Sequence, residues 1–585
     1  MSFHAQTGRR RLQIRALLIV ALFIISGCHH DRDRDARDRS ARKSETWDSH
    51  VNTFLETYFE RNPNVAVQAG RHEFDGKFPD WSPEGLKKTI DWLHEEQDQL
   101  DRYRDRDLDE DEKFEREYLE SVIKSELFWL ETAEWPQRNP YYYAGAIDPD
   151  VYVSRAYAPL DQRLKAYTAY AKAIPGALQQ IRANLQTPLP RTYVTIGRTT
   201  FGGLVSFYEK DVPAIFASVK DEPLQKSFAE ANSGAIKAMK ELDSWLQSQE
   251  ASATDSFSLG AEKFSAMLRS TEGVEMRLDE LENVGRRDLV RNQAALREAC
   301  AKYAPGQSLA DCVSKAEANK PTGGAVELAR QQLTQLKTFI SDKKVVTIPG
   351  NEEALVAEAP AYRRWNFAYI NIPGPYEKNL PSTYYIAPPD PSWSQAEKDA
   401  YLPGKAKLLF TSVHEVWPGH FLQFLHANRA SSKFGQVFVG YAFAEGWAHY
   451  TEEMMWDAGF GNGDPEAHIG QLLNAMLRNV RFLSAIGMHT GRMTVAESER
   501  MFREEGFQDP GTARQQAARG TFDPAYLNYT MGKLMIRKLR DDWAKSRGGK
   551  EAWQSFHDEF LKYGGPPIPL VRKAMMGEDD EGSLL

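Results

Sequence analysis

The chain has 585 residues, 82 acidic and 73 basic, and a formal charge of −9. That length allows several cores, and the acidic balance argues against a nucleic-acid partner, which calls for dense basic faces. No internal repeat and no glycine-, serine- or proline-rich linker divides it. With only Cys28, Cys300 and Cys312 it is neither a disulfide scaffold nor a cysteine-ligated zinc protein.

Taken from the start, Arg9, Arg10, Arg11 and Arg15 precede an apolar run from Ala16 to Ile25 and then Ser26-Gly27-Cys28. A basic start, a short apolar stretch and small residues before a cleavage point describe an export signal over 1–27. The run is too short for a bilayer span, which needs about 20 apolar residues. Cysteine directly after Ser-Gly resembles the lipobox of bacterial lipoproteins, which implies that Cys28 is lipidated and anchors the mature chain to a membrane. His29 stands where an aspartate signals inner-membrane retention in that class, so the outer membrane facing the periplasm is the expected location. Removing the four arginines takes the charge from −9 to −13. Within 28–46, residues 31–45 alternate acid and base with no apolar residue larger than alanine, which predicts a charged, disordered, solvated tether.

A single domain is expected over 47–575, followed by a flexible tail over 576–585. Helices are predicted over 47–60, 83–104, 110–134, 159–185, 221–248, 276–303 and 323–342. Ser82-Pro83-Glu84 sets a capping serine before a proline at the first helical position. Cys300 and Cys312 flank Pro305-Gly306 and read either as a loop-closing disulfide or as two free buried thiols. The pattern then shifts: Lys344–Pro349, Asn366–Ile372 and Thr383–Ala387 are short β-branched or aromatic runs, read as a small antiparallel sheet. The last of these is either an edge that could take an extended peptide as an added strand or ordinary packing. From 472 to 486, Leu472, Leu473, Met476, Leu477, Val480 and Leu483 form one apolar stripe. The fold class expected is mainly α.

Residues 411–423 read TSVHEVWPGHFLQ. His414-Glu415 opens like the HExxH motif, in which two histidines one turn apart bind zinc and the glutamate activates water. Here the second histidine, His420, comes six residues on, which on a regular helix leaves the side chains about 120° apart. Pro418 removes the N–H that would reach the His414 carbonyl, and Gly419 tolerates distortion, so a bulge or broken turn over Val416–Gly419 could restore the shared face. Glu445, in GYAFAEGWAHYTEE, is one of many glutamates and by spacing alone could be ligand or surface.

HEVWPGHFLQ, AEGWAHY, a helix carrying Arg478 and Arg481 up to Ile486-Gly487-Met488-His489, then YLNYTMG and Phe556-His557-Asp558 together resemble the domain-of-unknown-function 885 family. That family in turn resembles gluzincin metallopeptidases of the thimet oligopeptidase and angiotensin-converting enzyme kind. The resemblance implies a large helical domain around a deep cleft, zinc held by His414, His420 and Glu445, and Glu415 as general base. Tyr529, Tyr526 and His489 become candidates to steady the oxyanion, with the alternative that each is core. Arg478 and Arg481 could hold a substrate carboxylate or form structural salt bridges, and Gln423 could orient ligand or substrate or simply pack. His449, where the family usually has an apolar residue, is either behind the ligands or a surface histidine. Phe421 stands where the family often has a further histidine.

The implied function is a zinc-dependent peptidase-like hydrolase acting on short peptides outside the cytoplasm. The alternative is a non-catalytic lipoprotein using the same cleft to bind peptides or a protein partner; a general base beside two histidines has no use there. No GxxxxGK[ST] cradle and no GxSxG elbow occurs, so neither a nucleotide nor a serine nucleophile is expected.

Overall fold

The structure is a computed structural model, and it describes residues 46–360, 363–364, 367–389, 391, 393–577 and 582–585. The expected signal, the lipidation at Cys28 and the tether up to residue 45 lie outside the described residues, as do 578–581 of the expected tail. The chain forms two units, Met1–Tyr58 and Phe59–Leu585. Of the first, the described part is essentially the helical Trp47–Tyr58, the start of helix α1 (Trp47–Arg61), in which Phe54 and Tyr58 stack one turn apart. Everything below belongs to the second unit.

Local chemistry sets the helix starts. In α2 (Pro83–Leu100) the Ser82 hydroxyl accepts the Gly85 N–H at 3.0 Å. In α3 (Glu110–Leu127), Asp109 and Glu112 exchange both bonds of a capping box. The long helices α4 (Leu160–Asn184), α5 (Glu222–Gln249), α6 (Leu278–Tyr303) and α7 (Ala325–Lys343) follow the apolar periodicity. Cys300, at the end of α6, is disulfide-bonded to Cys312, with Cα atoms 5.8 Å apart. Among the described residues no helix is long and apolar enough to cross a membrane.

The sheet is where expectation and structure part. Lys344–Pro349 is not a strand. Lys344 takes a left-handed conformation that ends α7, the Val345 carbonyl accepts from His557 Nδ1 at 2.7 Å, and the Thr347 N–H and hydroxyl both bind Asp558. Side chains take up the bonds a strand partner would need. The first strand, β1, is Ala354–Glu358, followed by β2 (Ala368–Asn371) and β3 (Ser382–Ile386). The order is β1-β3-β2, with β1 parallel and β2 antiparallel to β3, so the sheet is mixed, not antiparallel. Ala354 pairs with Ser382 on one side, and Ala368 with Ile386 on the other. β3 is therefore central, and the expectation of a peptide-accepting edge at 383–387 fails because both its sides are bonded. Its Tyr384 is fully buried, close enough to α8 (Lys405–Glu415) for the Glu415 charge to help push its hydroxyl pKa upward, after burial.

After α8 come α9 (His420–Ala427), α10 (Tyr441–Asp457), α11 (Pro465–His489), α12 (Pro510–Phe522) and α13 (Asn528–Lys545). α11 departs from the expected stripe: Leu477 is only half-buried, whereas Gln471, Asn474, Arg478 and Phe482 on other faces are buried. A helix covered all round is central to its fold. It lies against α6, where a side chain on Gly285 would come 2.3 Å from Phe482.

Beneath α10 runs a closed charge network. Lys533 Nζ, fully buried, lies 2.8 Å from Asp288 and 3.3 Å from Glu453. Arg291 bridges the same two carboxylates, Arg537 adds a bond to Glu453 at 2.9 Å, and Asn479 donates to Asp288 at 2.9 Å. Burial opposes ionisation, but Lys533 and Arg291 hold both carboxyls far below the usual range. Nearer the N-terminus, His72 lies between Asp75 (3.1 Å) and Glu377 (3.2 Å) against the Tyr157 ring, pinning the segment after β2.

Candidate metal centre

The site is built at a helix break. α8 ends at Glu415; Val416 has φ −124° and ψ −76°, the Trp417–Pro418 peptide is cis, and α9 restarts at His420. The Gly419 N–H reaches back to the Val413 carbonyl at 3.0 Å. A Cβ on Gly419 would stand 1.8 Å from the His414 carbonyl oxygen, so only glycine fits. The two extra residues are thus absorbed by a full break in the helix, and the His414 and His420 rings meet 4.8 Å apart at 85°.

α10 brings the third group. Glu445 Oε2 lies 3.2 Å from His414 Nε2 and 3.2 Å from His420 Nε2. It makes a directed hydrogen bond with neither, although buried. These three residues offer ligand atoms that all lie within 4.8 Å of one another and can hold a divalent metal. Burial would raise the Glu445 carboxyl, but His420 and His414 keep it well below its ordinary value.

Two turns along the same face, Glu452 accepts from His414 Nδ1 at 2.8 Å. That bond fixes the proton on Nδ1 and turns the Nε2 lone pair toward Glu445, as metal-binding histidines require. Arg478 lies 3.2 Å from Glu452 and 3.3 Å from the same His414 nitrogen. The second contact joins two donors, so the carboxylate is its partner. Against burial, Arg478 and the hydrogen bond from His414 hold the Glu452 carboxyl well below its ordinary range. His449 is fully buried behind Glu452 at 3.5 Å, its pKa pushed down to about 3 by burial, so it stands in a supporting layer and not on the surface. Glu452 is the residue that sequence reasoning missed; its spacing of seven from Glu445 in EGWAHYTEE was the available signal.

Glu415 sits half-buried beside this cluster. Burial, aided by Glu445 and Glu452 and opposed by His420 and Arg478, raises its carboxyl to about 7. Tyr529 stacks on His414 at 6.1 Å and 15°, and Arg478, Arg481 and Arg519 lie 5.7, 4.6 and 5.8 Å from its ring centre. Its helix crosses α10 where two glycines touch: a Cβ on Gly446 would come 2.5 Å from the Gly532 Cα.

His489 and Gln423 are bonded elsewhere, and the Tyr526 hydroxyl makes no hydrogen bond among the described residues. His489 Nε2 donates to the Gly520 carbonyl at 2.7 Å, its Nδ1 accepts the Leu259 N–H at 3.4 Å, and its ring stacks on Phe264. With both nitrogens engaged and a pKa lowered to about 4 by burial, it is a neutral core histidine. The Tyr526 hydroxyl is fully buried in the same neighbourhood, next to Gly520 and Met488. Gln423 is fully buried and donates to the Gly564 carbonyl at 3.1 Å.

A mainly helical fold with a small mixed sheet and a His/His/Glu cluster at a broken helix is thus the class of structure. The chain belongs to the family described as bacterial protein of unknown function (DUF885), which matches residues 63–575. Among solved structures it is similar to a presumed lipoprotein of unknown function from Shewanella oneidensis, at 23% identity and a TM-score of 0.76, covering 91% of this chain and 100% of that one. It is also similar to a presumed lipoprotein from Colwellia psychrerythraea, at 16% identity and a TM-score of 0.76, covering 91% and 98%. At these identities the likeness is one of fold. No curated protein matches the chain.

Proposed function

We propose that the protein is a zinc-dependent peptidase-like hydrolase of short peptides, exported and tethered through lipidated Cys28. The observation that carries this reading is the convergence of His414 Nε2, His420 Nε2 and Glu445 Oε2, with His414 oriented from behind by Glu452. Tetrahedral zinc with ligands at about 2.1 Å spaces them roughly 3.4 Å apart, and the two contacts here are 3.2 Å. Both contacts of Glu445 thus suit a zinc ion, whose role when bound would be to polarise a carbonyl and make water more acidic. The motif set and the order of the ligands along the chain support a likeness to gluzincin peptidases.

Glu415 is the proposed general base. Its carboxylate takes a proton from the attacking water as the carbon–oxygen bond forms. It delivers that proton to the leaving amine nitrogen as the carbon–nitrogen bond breaks. Glu452 and Arg478 hold the proton on His414 Nδ1 throughout. For the tether, the Ser26-Gly27-Cys28 sequence and the description of the similar solved structures as presumed lipoproteins are the support.

The test is the metal content of the purified protein beside a His414→Ala/His420→Ala variant, followed by a peptide screen against Glu415→Gln. One tightly held zinc per chain, lost in the double variant, and peptide cleavage abolished by Glu415→Gln are the expected results. A folded, zinc-supplemented protein that holds no stoichiometric metal would sink the hydrolase reading.

A further inference from the structure

Three guanidiniums surround the Tyr529 ring, and their charges do not balance. Arg478 is committed: it pairs with Glu452 and donates to the Asn474 carbonyl at 3.0 Å. Arg519 is committed as well, to Asp523 at 2.9 Å and to the Tyr441 hydroxyl at 2.9 Å. Glu445 is taken by the two histidines. Arg481 is left over. It is 7% exposed, its Nε donates to Gln516 Oε1 at 2.8 Å, and among the described residues no carboxylate pairs with it. Arginine carries five N–H donors in a planar fork, so one bond to an amide leaves most of its capacity unused.

A buried, unpaired cation next to two other cations is costly unless something anionic arrives to meet it. The Tyr529 ring, 4.6 Å away, offers the electron-rich contact that arginines favour, but no charge to neutralise it. Burial, with Arg519 and Arg478 adding to it, already works against the charged form. The surroundings remain open to solvent along one wall, where the side chains of Arg519, Glu445 and His420 are 30%, 21% and 13% exposed.

We infer that Arg481, assisted by Arg519 across the Tyr529 ring, receives the free carboxylate of a bound peptide, so that the centre acts near the C-terminal ends of its substrates. The inference rests on the hydrolase reading above and specifies its substrate. Arg481 and the His414 ring are both neighbours of Tyr529. An extended peptide advances about 3.5 Å per residue, so two groups 4.6 Å and 6.1 Å from one ring centre are no more than about three residues of substrate apart. A bidentate arginine–carboxylate pair also supplies direction, because the fork accepts its partner in one plane. Arg478, which the sequence offers as an equal candidate, is excluded by its own partners.

The experiment is calorimetric binding of three peptides to full-length Glu415→Gln protein, with zinc and without it: acetyl-Ala-Ala-Ala, its C-terminal amide, and acetyl-Ala-Ala-Glu amide. The free acid should bind about 10- to 100-fold more tightly than its amide. That ratio should fall to within about threefold in Arg481→Met, with Arg481→Lys between the two and zinc affinity unchanged in both. Equal binding of acid and amide to the unsubstituted site would overturn the inference without need of any variant. So would an acid preference that persists in a folded Arg481→Met protein. Glutamyl amide binding as tightly as the free acid would overturn the C-terminal assignment in favour of an acidic side chain. Hydrolysis separates the two claims. An Arg481-dependent preference with no cleavage by the wild-type protein removes the hydrolase and keeps the carboxylate subsite. Equal cleavage of acid and amide removes the subsite and keeps the hydrolase.

Discussion

Glu452 and Glu453 are neighbours on α10 and serve opposite kinds of place. Glu453 enters a network in which Lys533, Arg291 and Arg537 answer it and Asp288, and no buried polar atom of these five residues lacks a partner. Glu452 enters a cluster in which His420 Nδ1, His449 Nε2, Arg478 Nε and its own Oε2 are buried without a hydrogen bond among the described residues. Buried polar groups are normally paired. The closed network stabilises the fold, whereas the unclosed one, a single helix face away, lies behind the residues proposed to hold the metal.

The sharpest way to break this comparison is Lys533→Met. Removing one member of a buried ionic network costs about 3–5 kcal/mol, read as a shift in the urea midpoint, while the folded fraction keeps its metal. A loss below about 1 kcal/mol would mean the network is not closed in the sense argued. Glu452→Gln comes next. It keeps the shape and an acceptor for His414 but loses the charge, and should weaken zinc binding about 10- to 100-fold in a competition titration, the usual cost of losing a partner behind a ligand.

A third test uses pH. Burial lowers the His72 pKa, but Asp75 and Glu377 outweigh it and raise it to about 9. Folding therefore holds a proton that the unfolded chain releases near its ordinary 6.5. The stabilisation is fully present below that value and is lost as pH rises through about 9. At pH 7 it should amount to about 1–2 kcal/mol after allowing for partial exposure, and His72→Gln should flatten the stability profile between those limits. The smallest effect is expected for His420→Asn in metal-free protein, within about 1 kcal/mol of wild type, together with loss of the stability gained on adding zinc. A large metal-free penalty would class this cluster with the structural networks.

What could be read in advance follows from which interactions are local. Ser82, Asp109 and the apolar spacing of α4 to α7 act within a turn or two, so those helices were legible. The disulfide could be anticipated as one of two readings, because Cys300 and Cys312 lie close in sequence. The cluster of His414, His420, Glu415 and Glu445 was legible as a set, and Pro418-Gly419 announced the break that joins the two histidines. Lys344–Pro349 misled because its bonds go to His557 and Asp558, more than 200 residues away. His489 misled in the same way: chain order put it after the ligands, but Gly520 and Leu259 decide where it points. The burial of α11 on every face likewise depends on partners that no local pattern carries.

The touching glycines, Gly446 and Gly532, have a consequence for engineering and for evolutionary change. Glu445 and Tyr529 stand on helices whose backbones meet without intervening side chains, so the joint has no room to be re-tuned by substitution. The smallest portable form of this centre is therefore the pair of helices together with the broken turn at Gly419. A transplant carrying only the His414–His420 segment would inherit the ligands' order along the chain and lose their arrangement in space.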